Sequence, residues 1–332
     1  MTGGHGGRAG FAGTAGAASA SGPGAPPASV PRPGLPDRPD PGTAAAAADP
    51  GAPPLRVTWL PGLTPYEPAW RLQERLARAR GAGRLPDLFL LLQHPPVYTV
   101  GRSGRDEEIL LSPALRRQRG VEVFHIDRGG KVTYHGPGQL VGYGIVDLKG
   151  LPGGLKRYVH GLEDALVATL ARFGIAAHRE EGLVGVWVGR EKIAAIGIRV
   201  SRGITWHGFA LNVDPDLSYF GGIIPCGITD RGVTSMARLL GRAPDLAQVA
   251  RVAAEELARV LGRRLEWAPG AGWLEAWAGG EEDPARDGAR PLPPADPVRG
   301  GGPHPGPASA PAGSAAGPRS RDGGPPGREA TA

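Results

Sequence analysis

The chain has 332 residues, a net formal charge of +6 and a single cysteine. One cysteine permits no internal disulfide and excludes CxxC-type zinc sites. No run reaches the ~18 consecutive apolar residues of a membrane span, and no charged start precedes an apolar stretch as in a secretory signal, so a cytoplasmic setting with no membrane partner is expected.

Residues 1–54 and 280–332 are dominated by Gly, Ala, Pro and Ser. Such segments cannot bury enough apolar surface to offset the entropy of ordering them, so both read as disordered tails around one globular domain at 55–279. The tails are nearly balanced in charge, and the basic excess belongs to the middle. It forms no dense Lys/Arg block, so nucleic acid is not an expected partner. An acidic protein or an anionic substrate suits it.

In chain order, "LRVTWLP" (55–61) predicts a short strand. "TPYEPAWRLQERLARARGAG" predicts a helix with Trp70, Leu72, Leu76 and Ala79 near one face. "DLFLLLQHPPVYTVGR" (87–102) reads as a strand, a proline break and a second strand, and "VEVFHID" (121–127) as a half-buried strand. Residues 128–148 read as two strands around a Gly-Pro-Gly turn. "LKRYVHGLEDALVATLARFG" is the clearest helix, with Leu155, Tyr158, Val159, Leu162, Leu166, Leu170 and Phe173 at helical spacing. A hairpin turning at Gly189-Arg190 (183–200), a strand (204–213), a short helix in "TSMARLLG", a helix at 245–262 opening on Asp245, and a strand in "RRLEW" complete the pattern. Strands joined by short turns and outnumbering helices predict an α+β fold with a mixed or antiparallel sheet.

Two glycine-rich places carry candidate chemistry. "RGGKVTYHGPGQ" is neither a P-loop nor a GxGxxG turn; its Arg128, Tyr134, His135 and Gln139 suit a pocket edge, and an ordinary pair of turns is the plain alternative. "GGIIPCGITDRG" sets Cys226 in a loop, where a thiol can be reached and nearby N–H groups can meet an oxyanion. An inert small residue is the alternative. A nucleophilic thiol needs a base or cation, because free cysteine is mostly protonated at pH 7; His135, His207 and Lys192 are the candidates. His94 and His125 read as structural, and no spacing supports a metal site. The chain holds 34 arginines and only four lysines, Lys131, Lys149, Lys156 and Lys192. A lysine kept in such a chain suits a task arginine cannot perform, the loss of a proton.

Taken together, "YEPAWRLQERL", "LLLQHPPVYTVGR", "RGGKVTYHGPGQLVGY", "VGREKIAAIGIRV", "WHGFALNVDPDLSYF" and "IPCGI" resemble the lipoyl(octanoyl) transferase family, also called lipoate-protein ligase B. The likeness runs from about residue 56 to 268. It implies an α+β fold like that of the lipoate and biotin protein ligases. It also implies transfer of an octanoyl group from acyl carrier protein to a lysine of lipoate-dependent domains, those of 2-oxoacid dehydrogenases and the glycine cleavage H protein. It implies Cys226 as nucleophile, Lys192 as its partner and no cofactor. The acyl-pocket segments it implies are Arg128, Gly129, Gly130, Lys131, Val132, Thr133, Tyr134 and His135; Ala195, Ile196 and Gly197; and Gly208, Phe209 and Ala210. Phe209 stands where the family often has a smaller aliphatic residue. The alternatives are an ATP-dependent lipoate or biotin ligase, which would not need Cys226, and a non-catalytic module that binds lipoyl domains.

Overall fold

The computed structural model describes residues 51–224, 231–268 and 272–274. The expected tails fall outside the described residues, apart from 51–54.

Eight strands form one mixed sheet and three form a second. In chain order the elements are β1 (Pro54–Leu63), α1 (Tyr66–Gly81), β2 (Asp87–Gln93), β3 (Val97–Val100), α2 (Pro113–Gln118), β4 (Glu122–His125), β5 (Val132–His135), β6 (Gln139–Ile145), α3 (Gly154–Arg172), β7 (His178–Glu180), β8 (Leu183–Val188), β9 (Glu191–Ser201), β10 (Ile204–Asn212), α4 (Met236–Leu240), α5 (Leu246–Leu261) and β11 (Arg264–Trp267). The large sheet runs β11-β1-β2-β6-β10-β9-β8-β7 and the small one β4-β3-β5. β11, β1 and β2 are parallel, and the remaining neighbours of the large sheet are antiparallel. The expected α+β architecture with a mixed sheet is present.

The large sheet is covered on both faces. Along β2, Phe89 and Leu91 join the core under α3 and α5, while Leu88, Leu90 and Leu92 join the core under α1. Strand residues alternate between faces, so a strand covered on both sides reads as an unbroken apolar run. That is the physical reason for "DLFLLLQ". Buried Asp87 gathers Arg80 (2.8 Å) and Arg263 (3.1 Å), fixing the end of α1 and the start of β11 to the head of β2.

Three features depart from the chain-order reading. The predicted strand pair around Gly-Pro-Gly is not a hairpin: β5 pairs with β3 in the small sheet, and β6 with β2 and β10 in the large one. Gly138 makes that crossing. Its φ is +81°, its carbonyl accepts from Asp214 N (2.8 Å), and a Cβ there would lie 2.2 Å from the Asp214 carbonyl oxygen. Leu155, expected on the buried face of α3, is 46% exposed. Helix α2 and strand β7 were not anticipated; both are short and lack a strong period.

No described helix is long and apolar enough to cross a membrane.

Candidate functional site

The loop between β4 and β5 lies on β9. Gly129 N donates to Ile198 O (3.0 Å), and Gly197 permits the approach, since a Cβ there would stand 2.9 Å from Arg128 Cδ and 3.0 Å from Gly129 O. Buried Arg128 braces the loop from within: Nη2 donates to Thr99 O (2.7 Å) and Thr99 Oγ1 (2.8 Å), and Nη1 to Gly129 O (3.0 Å). β10 then sets Gly208 against Gly197 and Tyr143. In this way three distant stretches, 128–133 with His135, 195–197 and 208–210, line one cavity of about 390 Å³, together with Lys192. That volume suits a small-molecule site.

Of the fourteen expected pocket residues, Tyr134 is the one that does not line the cavity. Its ring belongs to the core of the small sheet and stacks on Tyr219 at 4.8 Å. Phe209 lines the cavity, yet its ring is 2% exposed and packs toward Phe89. Gly142 makes the room, because a Cβ there would meet the Phe209 ring at 2.3 Å. The larger residue is therefore accommodated in the core. Leu155 and Val159 of α3, and Leu183 and Val184 of β8, form an apolar side of the cavity.

Lys192 sits on β9 with its ammonium on a prepared seat. Nζ donates to Val184 O (3.2 Å) and stands 4.7 Å above the ring of buried Trp187. Gly185, at φ +128°, keeps its α-carbon bare beneath the lysine; a Cβ would lie 3.3 Å from Lys192 Cε. Buried Glu163 of α3 holds β8 here by accepting from Gly185 N (2.9 Å). Trp187 also carries Arg231, 5.2 Å from its centroid, and Arg231 pairs with Glu180 (3.0 Å).

Cys226 falls within 225–230, outside the described residues. The residues that flank it are described. Ile224 N donates to Glu108 O (2.8 Å), and Glu108 pairs with Lys131 (2.9 Å). On the other side, Gly232 O accepts from Lys192 N (2.9 Å) and Thr234 N donates to Lys192 O (3.0 Å). The segment that follows the cysteine is thus laid in parallel against Lys192. A recess of about 40 Å³ between them shares Lys192, Thr133, Ala195 and Ala210 with the larger cavity.

The polar part of the cavity holds His135 and His207, with His94 behind them. His94 Nδ1 donates to Thr64 O (2.5 Å), and Nε2 accepts from the Tyr143 hydroxyl (2.6 Å). Gln139 spends its amide N–H groups on Tyr134 O (3.1 Å) and Asn212 Oδ1 (3.0 Å), so its oxygen accepts from His135 Nδ1 (2.8 Å). Asn212 in turn donates to Thr234 O (3.0 Å), which ties His135 to the strand beside Lys192. Burial lowers the His94 pKa to about 4. Burial, then the charges of His94 and Arg128, lower that of His135 to about 3 against the Gln139 hydrogen bond. Both are neutral at pH 7, and the reading of His94 as structural agrees with its place outside the cavity lining. His125 is exposed and pairs with Asp106 (2.6 Å).

His207 departs from ordinary strand geometry. Its φ is +58° in the middle of β10, a conformation that costs a non-glycine residue on the order of 1–3 kcal/mol. Its backbone N–H leaves the ladder and donates to Gln73 Oε1 of α1 (2.8 Å). Its Nε2 lies 2.9 Å from Asp127 Oδ1. Asp127, Trp187, Tyr66 and Tyr143 were not singled out from sequence. Nothing local marks Asp127, which follows β4 and whose partner lies on β10. Tyr66 lines the cavity from the first turn of α1, where its apolar spacing resembles that of any core residue.

The lipoyl protein ligase A/B catalytic domain family matches residues 65–258. The chain belongs to this family. Curated relatives are octanoyltransferases. One from Chloroflexus aggregans is 53% identical over 192 residues, covering 57% of this chain and 87% of that protein. One from Rubrobacter xylanophilus is 51% identical, covering 63% and 94%. Two solved structures share the fold of this lipoyl protein ligase family member. A lipoate-protein ligase A bound with ATP has a TM-score of 0.55 at 17% identity, covering 68% of this chain and 92% of that one. A bi-partite lipoate protein ligase from Thermoplasma acidophilum has a TM-score of 0.52 at 15% identity, covering 69% and 91%.

Proposed function

We propose that the chain transfers an octanoyl group from the thioester of a carrier protein to a lysine of a lipoyl domain, through an acyl thioester on Cys226. The observation that supports this reading is that Lys192 lines both the cavity of the three pocket segments and the small recess reached by Gly232 and Val233, which follow Cys226 in the chain, in a chain about half identical over 192 residues to an octanoyltransferase.

The chemistry follows from the groups present. The Cys226 thiolate attacks the octanoyl carbonyl, the C–S bond to the carrier breaks, and the departing sulfur takes a proton from the Lys192 ammonium. One thioester replaces another, so this step is near balance. The target lysine, after its ammonium has lost one proton to solvent, then attacks the acyl-Cys226 carbonyl, an amide forms, and the thiolate leaves. Lys192, neutral after the first step, takes a proton from the incoming nitrogen. The Trp187 face and Val184 O hold its amine in place for both transfers. The cavity offers the alkyl chain Ile196, Phe209, Val159 and Leu183. The basic middle of the chain suits acidic protein partners.

The test is mass spectrometry of the protein after exposure to octanoyl-loaded carrier protein without nucleotide. A gain of one octanoyl group on Cys226 is expected, and its loss on addition of a lipoyl domain. Transfer that requires ATP and leaves Cys226 unmodified overturns the reading.

A further inference from the structure

We infer that Glu163 of α3 is a positioning residue for Lys192, acting through the peptide that joins Val184 to Gly185. The inference rests on the acyl-transfer reading above, in which Lys192 moves the proton.

That peptide stands outside both ladders of β8. On the β7 side the pairing passes from Leu183 directly to Val186, which is a bulge, and on the β9 side it begins at Val186. Buried backbone groups that leave a ladder need other partners. Here both halves of one peptide have one. Gly185 N donates to Glu163 Oε1 (2.9 Å), and Val184 O accepts from Lys192 Nζ (3.2 Å). The N–H and C=O of a planar trans peptide point in opposite directions, so the acceptor on α3 sets the direction of the carbonyl. Gly185 makes the arrangement accessible, because its φ of +128° is one that L side chains rarely adopt. Glu163 is 5% exposed, and Leu162 and Leu166 beside it belong to the core under α3, so packing fixes the acceptor in turn.

The consequence falls on the Lys192 amine. A carbonyl only accepts hydrogen bonds, so Val184 O holds Nζ in both of its charge states. As an ammonium, Lys192 gives it one of three N–H groups. As a neutral amine, it still gives one, and the lone pair is left pointing away from that oxygen. With no acceptor on α3 the peptide is released to turn, and an N–H facing Nζ would repel the ammonium.

Two variants separate this role from a general structural one. Glu163→Gln removes the charge but keeps an oxygen that accepts from Gly185 N, and it is expected to keep kcat for octanoyl transfer near the wild-type value. Glu163→Leu removes the acceptor. Its kcat is expected to fall on the order of 10- to 100-fold through misplacement of the amine, with KM for the octanoyl-loaded carrier protein nearly unchanged, since Glu163 does not line the acyl cavity. Should Glu163→Leu fail to fold, Glu163→Asp takes its place, because the shorter carboxylate withdraws from Gly185 N and the same fall in kcat is expected. Wild-type kcat in the variant that lacks the acceptor overturns the inference. So does a Glu163→Gln that falls as far, which would assign the effect to charge, and so does a change confined to KM. A wild-type protein that acquires no octanoyl mass from the carrier overturns the proposed function instead.

Discussion

At the scale of single residues, Lys192 shows how several elements combine to seat one strand side chain. Its backbone is paired to Gly232 and Thr234, its amine rests on Trp187, and Gly185 leaves the space beneath it. An arginine would keep the positive charge and stack on the tryptophan, but it cannot lose a proton near neutral pH. Lys192→Arg is therefore expected to lower octanoyl transfer by roughly 10²–10⁴-fold while leaving the denaturation midpoint nearly unchanged. Transfer assays beside thermal melts check this, and near wild-type turnover would remove the proton-transfer role. The rarity of lysine in the chain pointed to this residue before any contact was visible. The same reasoning also raised Lys131, Lys149 and Lys156, of which only Lys131 lines the cavity.

At the scale of elements, glycines decide how closely the layers approach, and two of them give opposite predictions. Gly197 on β9 supports the Arg128–Gly130 loop, and the nearest atom to an added Cβ after Arg128 Cδ is a backbone oxygen at 3.0 Å. Gly197→Ala should cost about 1–3 kcal/mol through this overpacking and should impair transfer, because the loop that shapes the cavity must shift. Gly161 lies in α3, where an added Cβ would meet Val260 and Leu261 at 3.5 and 3.6 Å, ordinary contact distances. Gly161→Ala should stabilise by up to about 1 kcal/mol, since alanine is the better helix former. Denaturant unfolding of the two variants gives both signs directly. The α3 and β8–β9 hairpin assignments were legible from apolar period and a Gly-Arg turn. The partners of β5 and β6 were not, because a short turn brings two strands near each other without choosing which sheet each enters.

At the scale of the whole molecule, burying histidines beside one another makes stability depend on pH. His94 and His135 have folded-state pKa values of about 4 and about 3, below the ordinary 6.5. Between those limits the unfolded chain binds more protons, so stability rises with pH. The contribution is complete above about pH 6.5 and is lost as pH falls toward the folded values. From pH 7 to pH 5 the two together should cost about 3–4 kcal/mol, at about 1.4 kcal/mol per unit for each. Urea unfolding at the two pH values measures it. A flat profile would mean that these rings are not held neutral in the core.

The sequence by itself carried the α+β class, most strand and helix positions and the family, because these depend on local apolar period, turn chemistry and unbroken motifs. It also named thirteen residues that line one cavity, through their place in those motifs. It could not supply the seat of Lys192 on Trp187, the turning of Tyr134 into the small core, or the pairing of His207 with Asp127. Each of those joins groups from different elements, and only the packing of the two sheets and the helices over them sets the distances. Burial then does what no motif records: it lowers the pKa values of His94, His135 and His207, so that all three rings are neutral at pH 7.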